Sequence, residues 1–248
     1  MPRILLLGGT QDARRLAEAL SRARLDAVYS LAGRTADPAA LPLPVRVGGF
    51  GGAQGLAEWL RAGGVRAVID ATHPFAARIS ANAVAAAQAT GIPLIALERP
   101  PWRAGPGDRW TVVPDLDGAV AALPDHPARV FLAIGRQHLA GFAARPQHRY
   151  LLRLVDPPDA DLPLPGATAI VDRGPFTVQD DLALMRREGV QIVVARNAGG
   201  TGASAKIAAA RHLGLPVVMI DRPVLPPRLA VDRVDKVMDW LHGIDLGA

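Results

Sequence analysis

Apolar and polar positions alternate with two different periods along this chain. Residues 4–7 are a continuous apolar run, Ile4-Leu5-Leu6-Leu7, which stops at Gly8-Gly9. Beyond the glycines the apolar positions recur at helical spacing, with Ala13, Leu16, Ala17 and Leu20 on one face. This reads as a buried strand, a tight turn and a helix. The succession then repeats. Residues 26–32 predict a second strand ending at Gly33-Arg34-Thr35, and residues 45–47 a short one before the glycine-rich turn 48–52. Leu56, Trp59 and Leu60 give the next helix a buried face. Residues 66–70 predict a strand that ends in Ala71-Thr72-His73-Pro74-Phe75. Ile79, Ala83 and Val84 face inward on the helix that follows, Gly91 ends it, and residues 92–97 form the next strand. Strands alternating with helices predict parallel pairing in a doubly wound α/β sheet.

Residues 98–107 break this pattern with clustered Pro and Gly, which marks the expected domain boundary. Residues 1–100 then form one domain and residues 101–248 a second. Past the boundary, strands are predicted at 110–113, 129–134, 148–155, 167–172, 191–195 and 216–220. Helices are predicted at 115–123, 178–187 and 203–212, and a last helix carries Val234, Met238 and Leu241 on one face. The second half is therefore also α/β. No short-period repeat occurs, but both halves hold a Gly-Gly-Thr loop between a strand and a helix.

Composition narrows the chemistry. The 248 residues are 50% hydrophobic and only 4% aromatic, so the core is built from Ala, Leu, Val and Ile. There is no cysteine, which excludes disulfides, zinc–thiolate sites and thiol nucleophiles and permits a reducing compartment. The N-terminal apolar run is too short for a signal-peptide core, and none approaches the roughly 20 residues of a membrane span. A soluble, cytoplasmic protein is expected. The net charge is +5, carried almost wholly by arginine; Lys206 and Lys236 are the only lysines. Drift of a genome towards Ala and Arg would give the same totals. The arginines are scattered and aromatics few, unlike a nucleic-acid surface. Bidentate capture of carboxylates or phosphates of a small polyanion fits better. No nucleic acid and no membrane is expected as a partner.

Three stretches offer sites. Gly8-Gly9-Thr10 opens a helix, whose free N–H groups and dipole suit a phosphate. The third glycine of a dinucleotide fingerprint is missing, since Asp12 stands there, and close helix–sheet packing would use the same glycines. At the end of the second strand, Gly33-Arg34-Thr35 places an arginine where dinucleotide folds read the adenosine ribose, with no acid before Asp37. An arginine there accommodates a 2′-phosphate, which predicts NADPH over NADH. Asp70 to Phe75 lies at the carboxyl end of a central strand, where ligands of open α/β sheets bind. Thr72 and His73 are placed to touch a nicotinamide, and His73 to donate a proton. Thr72-His73-Pro74 equally suits a helix start with Pro74 in its first turn. The expected cofactor set is Gly8, Gly9, Thr10, Asp12, Gly33, Arg34, Thr35, Thr72, His73 and Phe75.

The second glycine loop is Gly199-Gly200-Thr201-Gly202-Ala203-Ser204-Ala205-Lys206. It lacks the Gly-Lys-Ser/Thr ending of a phosphate-binding loop, so ATP chemistry is not expected. Its N–H groups, hydroxyls and Lys206 suit a carboxylate at a helix N-terminus. Gly174-Pro175-Phe176 follows a strand and offers Phe176 for stacking on a flat ligand. These residues form the expected substrate set: Gly174, Pro175, Phe176, Gly199, Gly200, Thr201, Gly202, Ser204 and Lys206. Whether the loop at 199–206 meets substrate or cofactor stays open. No Tyr-x-x-x-Lys pair, Gly-x-Ser-x-Gly elbow or His-x-x-x-His spacing occurs, so no metal site is expected.

Taken together the chain resembles the precorrin-6A reductases of cobalamin biosynthesis. The resemblance rests on Leu7-Gly8-Gly9-Thr10 with Asp12-Ala13, on Asp70 to Ala76, and on Glu98-Arg99-Pro100 with Trp102. It continues through Gly174-Pro175-Phe176, residues 197–206, Pro216-Val217-Val218 and Arg222-Pro223. Arg196 and Ala198 depart from the Lys and Ser common in relatives, which removes a hydroxyl at 198. The resemblance implies two Rossmann-like domains with the reaction in a cleft between them. It also implies NADPH-dependent reduction of one double bond of precorrin-6A, an anionic tetrapyrrole, to precorrin-6B. It leaves room for handover of the tetrapyrrole to neighbouring pathway enzymes. The competing expectations are an NADPH-dependent reductase of another polyanion and a non-catalytic NADPH-binding regulator.

Overall fold

The computed structural model describes residues 4–33, 40–154, 162–164, 166–172, 174 and 176–244. The first elements are β1 (Ile4–Leu7), α1 (Gln11–Arg22), β2 (Ala27–Leu31), β3 (Val45–Val47), α2 (Gly52–Ala62), β4 (Ala67–Asp70), α3 (Ala77–Thr90) and β5 (Leu94–Leu97). Next come β6 (Arg109–Val113), α4 (Leu116–Ala121), β7 (Arg129–Ala133), β8 (Arg149–Leu154), β9 (Thr168–Val171), α5 (Val178–Arg187), β10 (Ile192–Arg196) and α6 (Ala205–His212). The chain closes with β11 (Pro216–Ile220), β12 (Leu229–Val231) and α7 (Val234–Gly243). Two 3-10 turns, Arg136–His138 and Ala140–Ala144, connect β7 to β8.

The strands form two six-stranded sheets, ordered β12-β5-β4-β1-β2-β3 and β6-β11-β10-β7-β8-β9. All their pairings are parallel. This is the doubly wound α/β class expected from the alternation. In the first sheet β1 lies between β2 and β4, with Leu5 opposite both Val28 and Val68. In the second, β7 lies between β8 and β10, with Phe131 opposite Leu151 and Val193. Strand order reverses beside β1 and β7, and the crevice at such a switch point is where ligands of this fold class sit.

Burial on both faces explains the continuous apolar strands. Ile4 and Leu6 point to the face covered by Ala13, Leu16, Ala17 and Leu20 of α1 and by Val237 and Leu241 of α7. Leu5 and Leu7 point the other way, onto Leu56, Ala57 and Leu60 of α2 and Ala83 and Ala86 of α3. In the second sheet Phe131, Val193 and Met219 pack under Leu182 and Met185 of α5 and Ile207 and Ala210 of α6. The Tyr150 hydroxyl donates between the Phe142 and Arg145 carbonyls at 3.1 and 3.0 Å, fastening the 3-10 connection to β8.

The sixth strand of each sheet is exchanged. β6 follows β5 along the chain but completes the second sheet beside β11. β12 follows β11 but completes the first sheet beside β5. The compact units are accordingly Met1–Pro100 with Val224–Ala248, and Pro101–Pro223. This corrects the assignment of residues 101–248 to one domain. Residues 224–248 belong with the first unit because Val237 and Leu241 find their apolar partners on α1. β12 was not expected from the sequence. It is three residues long, two of them exposed, so it has no buried period to read.

Candidate functional site

The turn after β1 is shaped by Tyr29. A Cβ on Gly8 would lie 2.1 Å from Tyr29 Cζ and 2.3 Å from its hydroxyl, so only glycine fits. That hydroxyl accepts the Gly9 N–H at 2.9 Å, and burial pushes its pKa up. Gly9 has φ +108, and the space where its Cβ would lie is open. Thr10 caps α1, its Oγ1 accepting the Ala13 N–H at 3.0 Å. The same hydroxyl donates to the Ala71 carbonyl at 2.8 Å, tying the turn after β1 to the turn after β4. Asp12, in the first turn of α1, accepts from Arg99 Nη1 at 2.9 Å. A guanidinium that is 20% exposed is thereby held at the helix N-terminus.

The turn after β4 is internally bonded. Asp70 is buried and accepts from the Thr72 N–H at 3.1 Å and from the Thr72 hydroxyl at 2.7 Å. The Thr72 hydroxyl also lies 3.3 Å from Ser80 Oγ. Its side chain is thus turned into the fold. His73 Nδ1 accepts the Phe75 N–H at 3.2 Å, and the two rings lie 5.8 Å apart. An accepting Nδ1 places the neutral ring's proton on Nε2. α3 begins at Ala77, capped by Ala76 without a side-chain bond. Thr72-His73-Pro74 is therefore not the helix start that its composition suggested; it forms a turn of its own at the strand end.

The ribose reader expected from the sequence, Arg34, is not among the described residues, nor is Thr35. Gly33, with φ +77, lies two residues beyond β2. Beside Gly33 stands β3, where a Gly33 Cβ would approach Val47 Cγ1 to 3.2 Å.

In the second unit, Asn197 organises the loop after β10. It is buried; its Oδ1 accepts the Trp102 N–H at 2.7 Å, and its Nδ2 donates to the Trp102 carbonyl at 3.0 Å. The Trp102 indole donates to the Gly200 carbonyl at 2.7 Å. Arg222 donates to the carbonyls of Asn197 at 3.0 Å and Ala198 at 3.2 Å. Gly199 and Gly200 both have φ +68, which non-glycine residues avoid. The Ser204 hydroxyl donates back to the Thr201 carbonyl at 2.9 Å, and Thr201 and Gly202 are exposed. Lys206, in the first turn of α6, donates to the Ala203 carbonyl at 2.8 Å and lies 5.7 Å from the centre of the Trp102 ring. Burial draws its pKa down to about 8, with Asp181 opposing and Arg153 adding to the shift.

Next to this loop, Arg153 at the end of β8 pairs with Asp181 of α5, whose carboxylate is buried. The Arg153 guanidinium lies 3.8 Å over the Phe176 ring. One face of Phe176 is therefore covered by a cation. Gly174 is pinned close, since a Cβ there would meet the ring at 3.3 Å; Pro175 lies outside the described residues.

The two Gly-Gly-Thr loops are not topological equivalents. Gly8-Gly9 follows the switch-point strand β1, whereas Gly199-Gly200 follows β10, the counterpart of β4. The counterpart of Gly8-Gly9 is Gly135, leading into Arg136–His138. Arg153 and Asp181 escaped the sequence reading, because a charged residue inside a strand or helix gives no local sign of what it faces. Arg99, Trp102 and Arg222 stood in motifs, but their bonding partners are remote in sequence.

The first unit fits a dinucleotide. Gly9 leaves room for close approach, and the N–H groups of Gln11 and Asp12 have no acceptor among the described residues. Arg99 adds a cation at the same helix end. The second unit presents Lys206 and Arg153 at the carboxyl ends of its strands, suited to carboxylates. Among the described residues no group of metal ligands occurs, and no helix is long and apolar enough to cross a membrane.

Comparison with known proteins agrees with this geometry. The model of one family, described as "Precorrin-6x reductase CbiJ/CobK", matches residues 3–242. A precorrin-6A reductase of Rhodobacter capsulatus is 61% identical over 98% of this chain and 98% of its own length. A precorrin-6A reductase of a Sinorhizobium species is 50% identical over 97% of this chain and 94% of its own. A solved structure described as "CobK precorrin-6A reductase" superposes with a TM-score of 0.94 at 60% identity, covering 100% of this chain and 98% of that one. With its two doubly wound sheets and its glycine turns at the strand ends, this chain belongs to the precorrin-6x reductase family.

Proposed function

We propose that this chain reduces one double bond of precorrin-6A, giving precorrin-6B, with NADPH as the reductant. The observation that carries the reading is the turn at Gly8–Thr10, open before Gly9 and flanked by Arg99, within a chain matched by the family over residues 3–242. The nicotinamide, when bound, supplies a hydride to an electrophilic ring carbon. The chain's own work is positioning two large reactants. Gln11 and Asp12 N–H groups, with Arg99, hold the pyrophosphate. The Gly199–Ser204 loop, Lys206 and Arg153 receive substrate carboxylates. The second hydrogen arrives as a proton from water or a side chain, and His73 is the side-chain candidate. Reduction takes place in the cytoplasm.

The test mixes the protein with NADPH and precorrin-6A and follows nicotinamide absorbance. One NADPH consumed per precorrin-6A is expected. NADPH binding without consumption would make the chain a regulator instead. Consumption only with another polyanion would reassign the substrate.

A further inference from the structure

Arg46 lies in β3, the strand that pairs with β2, close to the strand end at which a dinucleotide fold reads the adenosine ribose. β3 pairs with β2 in the register Ser30 to Arg46 and Leu31 to Val47. The Gly48 N–H donates to the Leu31 carbonyl at 2.9 Å, so the glycine-rich turn after β3 abuts the end of β2. In dinucleotide folds the end of this strand meets the ribose 2′ position, and an arginine nearby accommodates a 2′-phosphate.

The guanidinium is built into place. Its Nη1 donates to the Gly48 carbonyl at 2.5 Å and weakly to Ser30 Oγ at 3.5 Å, and its Nη2 donates to the Gly49 carbonyl at 2.6 Å. The Phe50 ring lies 3.7 Å beneath it and the Trp59 ring 5.8 Å away. A planar cation held this way keeps part of its donor fork for an anion. Arg46 is half-buried, yet no carboxylate pairs with it among the described residues. Burial lowers its pKa. A partly desolvated cation without a counter-ion is costly unless a ligand supplies one.

We propose that Arg46 is the residue by which this chain distinguishes an adenosine 2′-phosphate from a 2′-hydroxyl. The proposal rests on the NADPH reading above and moves selectivity from Arg34 to a side chain in the neighbouring strand.

Calorimetric titration of the full chain with 2′,5′-ADP and with 5′-AMP tests it without turnover. The wild type binds 2′,5′-ADP more tightly. Arg46→Gln loses roughly 10- to 100-fold in affinity for 2′,5′-ADP, the scale of a charged hydrogen bond, and keeps its 5′-AMP affinity. Arg46→Lys, which keeps the charge without the planar fork, falls between. Equal weakening of both ligands by Arg46→Gln would reduce Arg46 to a loop fastener and overturn the proposal. An unchanged preference in Arg46→Gln, together with its loss in Arg34→Ala, would return selectivity to Arg34. A wild type that binds neither ligand would overturn the NADPH reading itself, and this proposal with it.

Discussion

Tyr29 lies against Gly8 so closely that a Cβ on Gly8 would sit 2.1 Å from the phenol ring, while the Tyr29 hydroxyl accepts the next N–H, that of Gly9. One side chain from β2 thus dictates the glycine pair of the β1 turn. Gly8→Ala forces the ring to move and should destabilise the fold by about 1–3 kcal/mol, as overpacking does. Tyr29→Leu should restore much of that loss in the double variant. Chemical denaturation of the two single variants and the double variant checks this; additive losses would sink it.

Arg99 should act on both nicotinamide cofactors alike. It sits by the first turn of α1 through Asp12, where a pyrophosphate common to NADH and NADPH would lie. Arg99→Gln is expected to weaken both by about tenfold, as loss of a charged hydrogen bond does. Fluorescence titration with each cofactor measures it. A loss confined to NADPH would place Arg99 at the 2′-phosphate instead.

Asp181 and Arg153 form a pair with 2% and 12% side-chain exposure. Asp181→Asn leaves the cation buried without its partner, at a cost of about 3–5 kcal/mol. Phe176, stacked on the same guanidinium, should become mobile. Urea denaturation gives the first quantity. Retained stability would show that water or another group replaces the carboxylate.

Lys206 sets a pH dependence. Its folded pKa is drawn from 10.5 to about 8, chiefly by burial. Below pH 8 the amine is charged in both states and bears its full desolvation cost. From about pH 8 to pH 10.5 the unfolded chain holds a proton that the folded chain has released, so this group's contribution to stability rises with pH. Lys206→Met should therefore melt a few degrees above wild type at pH 7, with the gap narrowing as pH climbs through that window. A pH-independent gap would be the contrary result.

Leu241 tests the exchanged strand. It is buried on α1 although it lies beyond the second unit in sequence. Leu241→Ala should cost about 2–5 kcal/mol, as a large cavity does. Native-state hydrogen exchange should place the weakened amides in β1, α1 and β12 rather than in β7 and β10. Weakening confined to β7 and β10 would contradict the topology.

Most elements of this fold are written in local pattern. Ile4–Leu7 reads as a buried strand because parallel strands are covered on both faces, and Ala13, Leu16, Ala17 and Leu20 fall on one helical stripe. The glycine turns and the Asp70–Phe75 strand end were legible for the same reason: their chemistry is contiguous in sequence. Thr72 was legible as a position but not as a partner, because its hydroxyl answers to Asp70 and Ser80 inside the fold.

Tertiary structure decided the rest. Which sheet takes β6 and which takes β12 depends on edges left open by strands far away in sequence, and the three residues of β12 carry no period of their own. Asn197 clamps Trp102 across 95 positions, and Arg153 meets Asp181 across 28. Arg46 reads as an ordinary polar residue between two valines until β2 and β3 lie side by side and bring it to the end of β2. Local sequence specifies an element through burial and backbone preference, which act over a few residues. A site is made of charges and donors that meet only when those elements have packed.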